Sequence, residues 1–267
     1  TEETINRTVA ANTAYYTMEK ALQTDQRQLL RGWVDDAIVD KAFTRGKWDE
    51  QELINGMKGK EDADIGAPEA WKLYESTCGG NEVIIANLED YYKSVRLSHP
   101  DLKSKVWYNI KESNYGYDKR DNDNNNYVDD IRGWSFAFDN DDVEERDVRK
   151  GTFTTGLISS SFNNGLYGKS LCSNCKSMIL LKYGYDEILS AISYAVDNGA
   201  RVIVNQGYPS LIGYFDANDI QTINRAYEKN VIIIENGDNK NYDGSNRLSS
   251  LTENIIFVGA TDYSDRP

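Results

Sequence analysis

The chain is poor in the residues that most often carry catalysis and metal binding: it has one histidine, His99, and three cysteines in 267 residues. Histidine is the usual proton carrier near neutral pH, so histidine-based acid–base chemistry has a single candidate here. Cys172 and Cys175 form a close pair, which we interpret as a local disulfide or two free thiols, with half of a zinc site as a third reading. Because Cys78 and His99 are single residues far away in sequence, a second zinc-ligand pair is missing.

Excess positive charge and long apolar runs are also absent. The chain carries 30 Lys and Arg against 43 Asp and Glu, a formal net charge of −13, with no basic cluster to follow a phosphate backbone. Apolar runs such as 178–181 and 231–234 are too short to cross a bilayer. We therefore expect no nucleic-acid partner and no transmembrane segment.

Residues 1–64 are predicted to form a helical N-terminal extension. Leu22, Leu29, Trp33 and Phe43 fall near helical spacing, with charged residues between them. The polar, glycine-containing segment 58–66 marks the boundary with the next domain. A pro-region is the functional alternative for this extension.

From residue 65 to residue 267 the pattern changes to alternating helices and strands. The strands are near-continuous Val/Ile runs, which indicates a parallel sheet covered on both faces. We predict an α/β fold with three αβα layers around a mostly parallel sheet. The predicted strands are 82–88, 177–183, 201–205, 230–234 and 255–259, and the predicted helices are 68–71, 152–161, 186–198 and 216–229.

Six strings in this region, in this order, resemble the subtilisin-like serine protease family. They are Ile65–Trp71, Glu82–Leu88, His99–Leu102, Asn126–Trp134, Ser193–Ile203 and Val258–Asp262. The resemblance covers about residues 65–267 and implies a subtilisin-like domain. It also implies an extracellular or cell-surface location.

Matched residue by residue to that family, the catalytic positions are altered. The acid position falls on Glu89, with Asp90 as the alternative, and the histidine position falls on Lys150. The oxyanion asparagine falls on Asn239, whereas the nucleophile segment has no counterpart up to residue 267. In the substrate-pairing segment, Tyr208 and Pro209 replace residues whose backbone must approach a peptide closely.

These substitutions predict a domain without catalysis. A carboxylate at Glu89 would keep the Lys150 amine protonated, and a protonated amine cannot accept the proton of a serine. We expect the two side chains to form an ion pair. The leading hypothesis is an inactive pseudoprotease that acts as a scaffold or protein-interaction subunit, bound to a protein partner or to the remaining part of its own chain. The alternatives are an active serine endopeptidase whose nucleophile lies beyond residue 267 and a purely structural domain.

The acidic segment 121–130 is a candidate calcium site. Calcium prefers six to eight oxygen ligands from carboxylates, amides and backbone carbonyls. The candidate ligands are Asp121, Asp123, Asn125, the Tyr127 carbonyl and Asp130. In the resembled proteases this loop commonly binds calcium. The alternative is a solvated Asn/Asp-rich turn held by its own hydrogen bonds.

Overall fold

The computed structural model describes residues 82–92, 95–144, 150–161, 170, 172, 174–206, 217–236 and 254–258. The predicted helical extension 1–64, its boundary at 58–66 and the short helix 68–71 lie outside these residues. In chain order the elements are β1 Val83–Asp90, α1 Ile110–Ser113, β2 Gly133–Ser135, α2 Lys150–Ser159, β3 Cys175–Lys182, α3 Tyr185–Asp197, β4 Val202–Asn205, α4 Ala217–Glu228, β5 Ile232–Asn236 and β6 Ile255–Val258.

The described strands form a six-stranded sheet in the order β2-β3-β1-β4-β5-β6, and every neighbouring pair is parallel. Parallel neighbouring strands must be joined by a crossover connection, and the helices that alternate with the strands supply such connections. The predicted parallel sheet is confirmed. The sequence reasoning missed β2 and α1 because three and four residues are too short to show a periodic pattern.

Helices α3 and α4 cover one face of the sheet. Strand side chains such as Ala86, Leu88 and Met178 share one apolar cluster with Ile192 of α3 and Ile223 of α4. Each of these five side chains is fully buried. Burying a residue such as Ile192 contributes about 1.5–3 kcal/mol relative to leaving it exposed. The cluster on this face is the larger of the two described apolar clusters, so it supplies most of the described apolar core.

Helix α2 covers the opposite face through small hydroxyl side chains. Asn87 Nδ2 donates to Thr155 Oγ1 at 2.8 Å, and the Ser159 and Ser177 hydroxyls lie 2.7 Å apart. These residues are buried, so their polar groups are satisfied inside the protein. With α2 on one face and α3 and α4 on the other, the three-layer prediction is confirmed.

Gly133 lies where β2 meets β3 and has no room for a side chain. Its φ is +130°, and a Cβ at this position would stand 1.9 Å from the carbonyl oxygen of Ile179, its register partner. We expect Gly133→Ala to lower the free energy of unfolding by at least about 2 kcal/mol, because the backbone is strained and β2 must move away from β3. Urea unfolding measures this loss.

Gly116→Ala is the matched control, because Gly116 also has a positive φ, +69°, but a Cβ there meets nothing within 4 Å. This control carries backbone strain without a clash, which should cost about 1–2 kcal/mol. Equal losses in the two variants would show that β2 does not approach β3 this closely.

Candidate functional site

The end of β1 places two acidic residues on opposite faces of the sheet. Successive side chains of a strand alternate in direction, and Asn87 already faces α2. Glu89 therefore faces α2 as well, where its Oε1 accepts a hydrogen bond from the Thr154 hydroxyl. Asp90 points to the face covered by α3 and α4. Glu89, only 1% exposed, is thus the acid beside the helix that begins at Lys150.

Asp90 is engaged by a buried lysine of the neighbouring strand. Lys182 Nζ lies 3.3 Å from Asp90 Oδ1, and the lysine side chain is 0% exposed. The two residues are register partners in β1 and β3, so both side chains project from the same face. Removing one charge of such a pair leaves the other buried without its partner, which typically costs about 3–5 kcal/mol. Asp90 thus has an ion-pair role on the opposite face from Glu89.

His99 is buried, and it belongs neither to the contact of Glu89 with Thr154 nor to the pair of Asp90 and Lys182. Its Nδ1 accepts a hydrogen bond from the backbone N–H of Asp101 at 3.2 Å. Burial, with a smaller contribution from the Arg96 charge, lowers the pKa of His99 from 6.5 to about 4. The imidazole is therefore neutral at pH 7 with its proton on Nε2, and the nitrogen that could accept a proton is already bonded to the backbone.

Three carboxylates converge beside the acidic loop. Glu112, Asp123 and Asp130 each bring an oxygen within 4.8 Å of the others. Glu112 and Asp130 are 0% exposed, and the Asp123 side chain is 3% exposed. Among the described atoms, Glu112 Oε2 and Asp123 Oδ1 are buried without a hydrogen-bond partner. Burying carboxylate oxygens without hydrogen-bond partners is costly, and a bound cation is one way to compensate for that cost.

The remaining oxygens of this cluster are held by the protein. Glu112 Oε1 accepts from the backbone N–H groups of Asn122 and Asp123 at 2.6 and 3.0 Å. Asn109 Nδ2 donates to Asp130 Oδ1 at 2.7 Å, and the Tyr194 hydroxyl donates to Asp130 Oδ2 at 2.5 Å. Burial is the largest cause that raises the pKa values of Glu112 and Asp130. A bound divalent cation would offset the free-energy cost of burying these two carboxylates in their charged form.

The other predicted calcium ligands have different surroundings. The carboxylate of Asp121 accepts from the backbone N–H groups of Asn125 and Asn126, at 3.1 and 2.8 Å. Asn125 donates to Asp130 through Nδ2 and accepts the Tyr127 N–H through Oδ1, both at 2.8 Å. Asp121 therefore folds the loop, whereas Asp123 and Asp130 point to its acidic centre. The ligand roles of Asp121, Asn125 and the Tyr127 carbonyl stay predictions.

Cys172 and Cys175 form a disulfide with a Cα–Cα separation of 5.5 Å. This pairing decides among the three readings of the cysteine pair, because bonded sulfurs are neither free thiols nor zinc ligands. Cys175 is the first residue of β3, so the bridge closes a short loop at the start of that strand. Cys78 lies outside the described residues.

Comparison with known proteins supports the resemblance seen in the motifs. The chain is 32% identical over 112 residues to Subtilisin-like protease 1 of Plasmodium berghei (strain Anka). Over these residues the chain is similar to a subtilisin-like protease. The match covers 40% of the chain but only 18% of that relative, so the chain spans less than a fifth of the relative's length. No protein-family model matches the chain.

Solved structures of peptidases are similar at lower identity. A lanthipeptide protease is 20% identical with a TM-score of 0.46, over 74% of this chain and 56% of that one. The epidermin leader peptide processing serine protease of Staphylococcus aureus is 19% identical with a TM-score of 0.42, over 72% and 50%. The nisin leader peptidase of Lactococcus lactis is 18% identical with a TM-score of 0.38, over 68% and 51%.

Parts of the subtilisin-like catalytic set lie where no side chain is described. Lys150 begins α2, but its side chain is among those that the structure leaves out, and Asn239, Tyr208 and Pro209 lie outside the described residues. The Glu89–Lys150 ion pair therefore stays a prediction. Of the two candidate acids, Glu89 faces α2 and Asp90 faces the opposite side of the sheet.

Sequence reasoning missed three residues of these sites: Glu112, Thr154 and Lys182. Glu112 lies in the single helical turn of α1, outside the acidic loop, so loop spacing could not reveal it. Lys182 did carry a signal, since a charged residue ending an apolar strand needs a buried partner. Thr154 looked like an ordinary helix residue, and only packing brings it to Glu89.

The titration of His99 gives a pH test. The unfolded chain binds a proton to His99 near pH 6.5, whereas the folded protein does so only near pH 4. The neutral form of His99 therefore contributes fully to the free energy of unfolding above pH 6.5, and this contribution is lost as the pH falls toward 4. The slope should be about 1.4 kcal/mol per pH unit.

His99→Gln removes this dependence. Urea unfolding between about pH 7 and about pH 5 should show the stability difference between the natural protein and the variant shrinking as pH falls. All other titrating groups are shared by the two proteins, so they cancel in this difference. A difference that stays constant over the range would contradict the burial of a neutral imidazole.

Proposed function

We propose that this chain is a subtilisin-like domain without peptidase activity, which acts as a scaffold or protein-interaction subunit. The observation that carries the proposal is the state of His99. It is the chain's one histidine, it is buried, and its Nδ1 already accepts the backbone N–H of Asp101. A serine peptidase of this class needs an imidazole that takes the proton of the serine.

The surroundings of Glu89 support the same conclusion. Its Oε1 accepts the hydroxyl of Thr154, so the carboxylate is bound to α2 itself. A lysine at the start of this helix would meet a nearby acid, and an opposite charge favours the protonated amine. Neither partner then supplies the base that peptide hydrolysis requires.

An interaction role is supported by apolar side chains at one end of the sheet. Ile232, Ile256 and Val258 are 43%, 50% and 54% exposed. Strand register places all three on the face that α2 covers farther along the sheet. Exposed apolar groups that share a surface are typical of contact sites. A protein partner or the remaining part of this protein's own chain is the proposed occupant.

The proposed location is extracellular or at the cell surface, by resemblance to the subtilisin-like family. The Cys172–Cys175 disulfide fits an oxidising compartment. Within the parts of the chain that the structure describes, no helix combines the length and the apolar composition needed to cross a membrane.

Activity-based labelling tests the loss of catalysis. A fluorophosphonate probe reacts with activated serines, so the purified full-length natural protein should stay unlabelled and should not cleave a mixed peptide library. An active subtilisin-like protease labelled in parallel is the positive control. Cleavage of the library that disappears in Lys150→Ala would instead establish an active endopeptidase whose base is this lysine.

We also propose that Glu112, Asp123 and Asp130 hold a structural calcium ion. The buried and unpartnered oxygens of Glu112 and Asp123 support this proposal. Three carboxylates provide the hard oxygen ligands that calcium prefers, and backbone carbonyls or water can complete the coordination. A bound ion would tie α1 to the acidic loop and would stabilise the folded domain by mass action.

Calcium titration tests this site by calorimetry and by thermal unfolding. Calcium should bind and raise the melting temperature of the natural protein. Glu112→Gln keeps an oxygen for the backbone N–H groups of Asn122 and Asp123 but removes the charge. Affinity should then fall on the order of tenfold or more.

Asp118→Asn is the matched control, because Asp118 precedes the same loop and its Oδ1 accepts hydrogen bonds from Arg120 N and Asn122 Nδ2, outside the three-carboxylate cluster. This variant should bind calcium like the natural protein. Equal affinity in the natural protein and in Glu112→Gln would contradict the proposed ligand set.

A further inference from the structure

Four aromatic rings meet at the carboxyl edge of the sheet. Tyr91 is the centre, with ring centroids 5.2 Å from Tyr92, 5.6 Å from Phe138 and 5.1 Å from Tyr183. The strand order β2-β3-β1 explains this meeting, because Phe138 follows β2, Tyr183 follows β3, and Tyr91 and Tyr92 follow β1. We refer to these four residues as the aromatic edge patch.

The aromatic edge patch faces solvent. Tyr92, Phe138 and Tyr183 are 51%, 59% and 66% exposed, although each packs against the half-buried Tyr91. Single exposed aromatic residues are ordinary, but a cluster is typical of a binding surface. Tyrosine and phenylalanine are enriched at protein interfaces, where few residues supply most of the binding energy.

Hydrogen bonds hold the backbone of the segments that carry Phe138 and Tyr183. Phe136 N donates to Leu181 O at 2.8 Å, and Phe138 N donates to Ser135 O at 3.3 Å, so the turn after β2 is tied to the end of β3. Glu187 Oε2 accepts the backbone N–H of Tyr183 and that of Gly184. A preorganised surface loses less conformational entropy on binding than a mobile one.

Acidic residues are concentrated in the two segments that carry Phe138 and Tyr183, whereas Tyr92 is followed by Lys93. Segments 134–144 and 183–190, which carry Phe138 and Tyr183, contain no lysine or arginine. Lys182 lies between them in the sheet, but it is buried against Asp90. The acidic residues of these segments are Asp139, Asp141, Asp142, Glu144, Asp186 and Glu187.

From this combination we propose that the aromatic edge patch docks a basic protein segment in which arginine side chains stack on the tyrosine rings. The proposal rests on the interaction role proposed above and names the chemistry of the partner. A guanidinium over a tyrosine ring gains cation–π attraction, and the neighbouring carboxylates add charge pairing. A second copy of this chain is disfavoured as occupant, because its net charge of −13 brings like charges together.

Binding of model peptides to the full chain tests the proposal. The probe is a fluorescent peptide of alternating arginine and glycine, and its match is the same peptide with citrulline, which keeps the shape but lacks the charge. Anisotropy titration should show binding of the arginine peptide that weakens with added salt, and much weaker binding of the citrulline peptide.

Variants locate the site on the protein. Tyr183→Ala and Phe138→Ala should each weaken binding on the order of fivefold. Asp139→Asn keeps a residue that tolerates the φ of +52° found there and should weaken binding less. Tyr227→Ala, which removes a tyrosine 48% exposed on α4, should leave binding unchanged.

Three outcomes would overturn the proposal. They are absence of binding, equal binding of the citrulline peptide, which indicates an apolar partner instead, and equal losses in Tyr227→Ala and Tyr183→Ala. Mass spectrometry of the recovered peptide separates this test from the test of catalysis. A cleaved peptide would refute the inactive domain, whereas intact peptide with unchanged affinity in the patch variants would refute only the docking surface.

Discussion

The parallel pairing of β1 between β3 and β4 is the constraint on which the other features depend. It aligns Asp90 with Lys182 and Asn87 with Val204, and it decides which side chains face α2. A shift of one residue in this register would exchange the two faces of β1. Glu89 would then leave Thr154, and Ala86 and Leu88 would leave the apolar cluster beneath α3. The register therefore fixes both the core and the candidate site.

The fold followed from the sequence wherever an element is long and buried. β1, β3 and β5 are runs of apolar residues, and α3 has helical spacing, so local pattern and burial agree. The boundaries of these elements moved by one or two residues, because the ends of helices and strands depend on hydrogen bonds that sequence patterns do not report. Short elements such as β2 exist only because a neighbouring strand pairs with them.

The candidate sites followed less completely, for a physical reason. The spacing of the acidic loop indicated Asp123 and Asp130 as neighbours, but Glu112 joins them from α1 through hydrogen bonds to the loop backbone. Asp121 is also an aspartate at the predicted spacing, yet its carboxylate accepts hydrogen bonds from backbone N–H groups of the turn. Spacing reports which residues are close along the chain, whereas ligand geometry depends on which oxygen atoms the backbone has already occupied.

Lys182 and Asp90 also limit how this protein can change over evolutionary time. Each charge lies inside the protein on the face of α3 and α4, and each is the register partner of the other. Loss of either one alone leaves a buried ion, whereas an apolar pair of similar volume can be neutral or even favourable. Divergent copies of this sequence should therefore either keep both residues or replace both together. Coupled replacement of the two residues in related sequences would identify them as register partners without a structure.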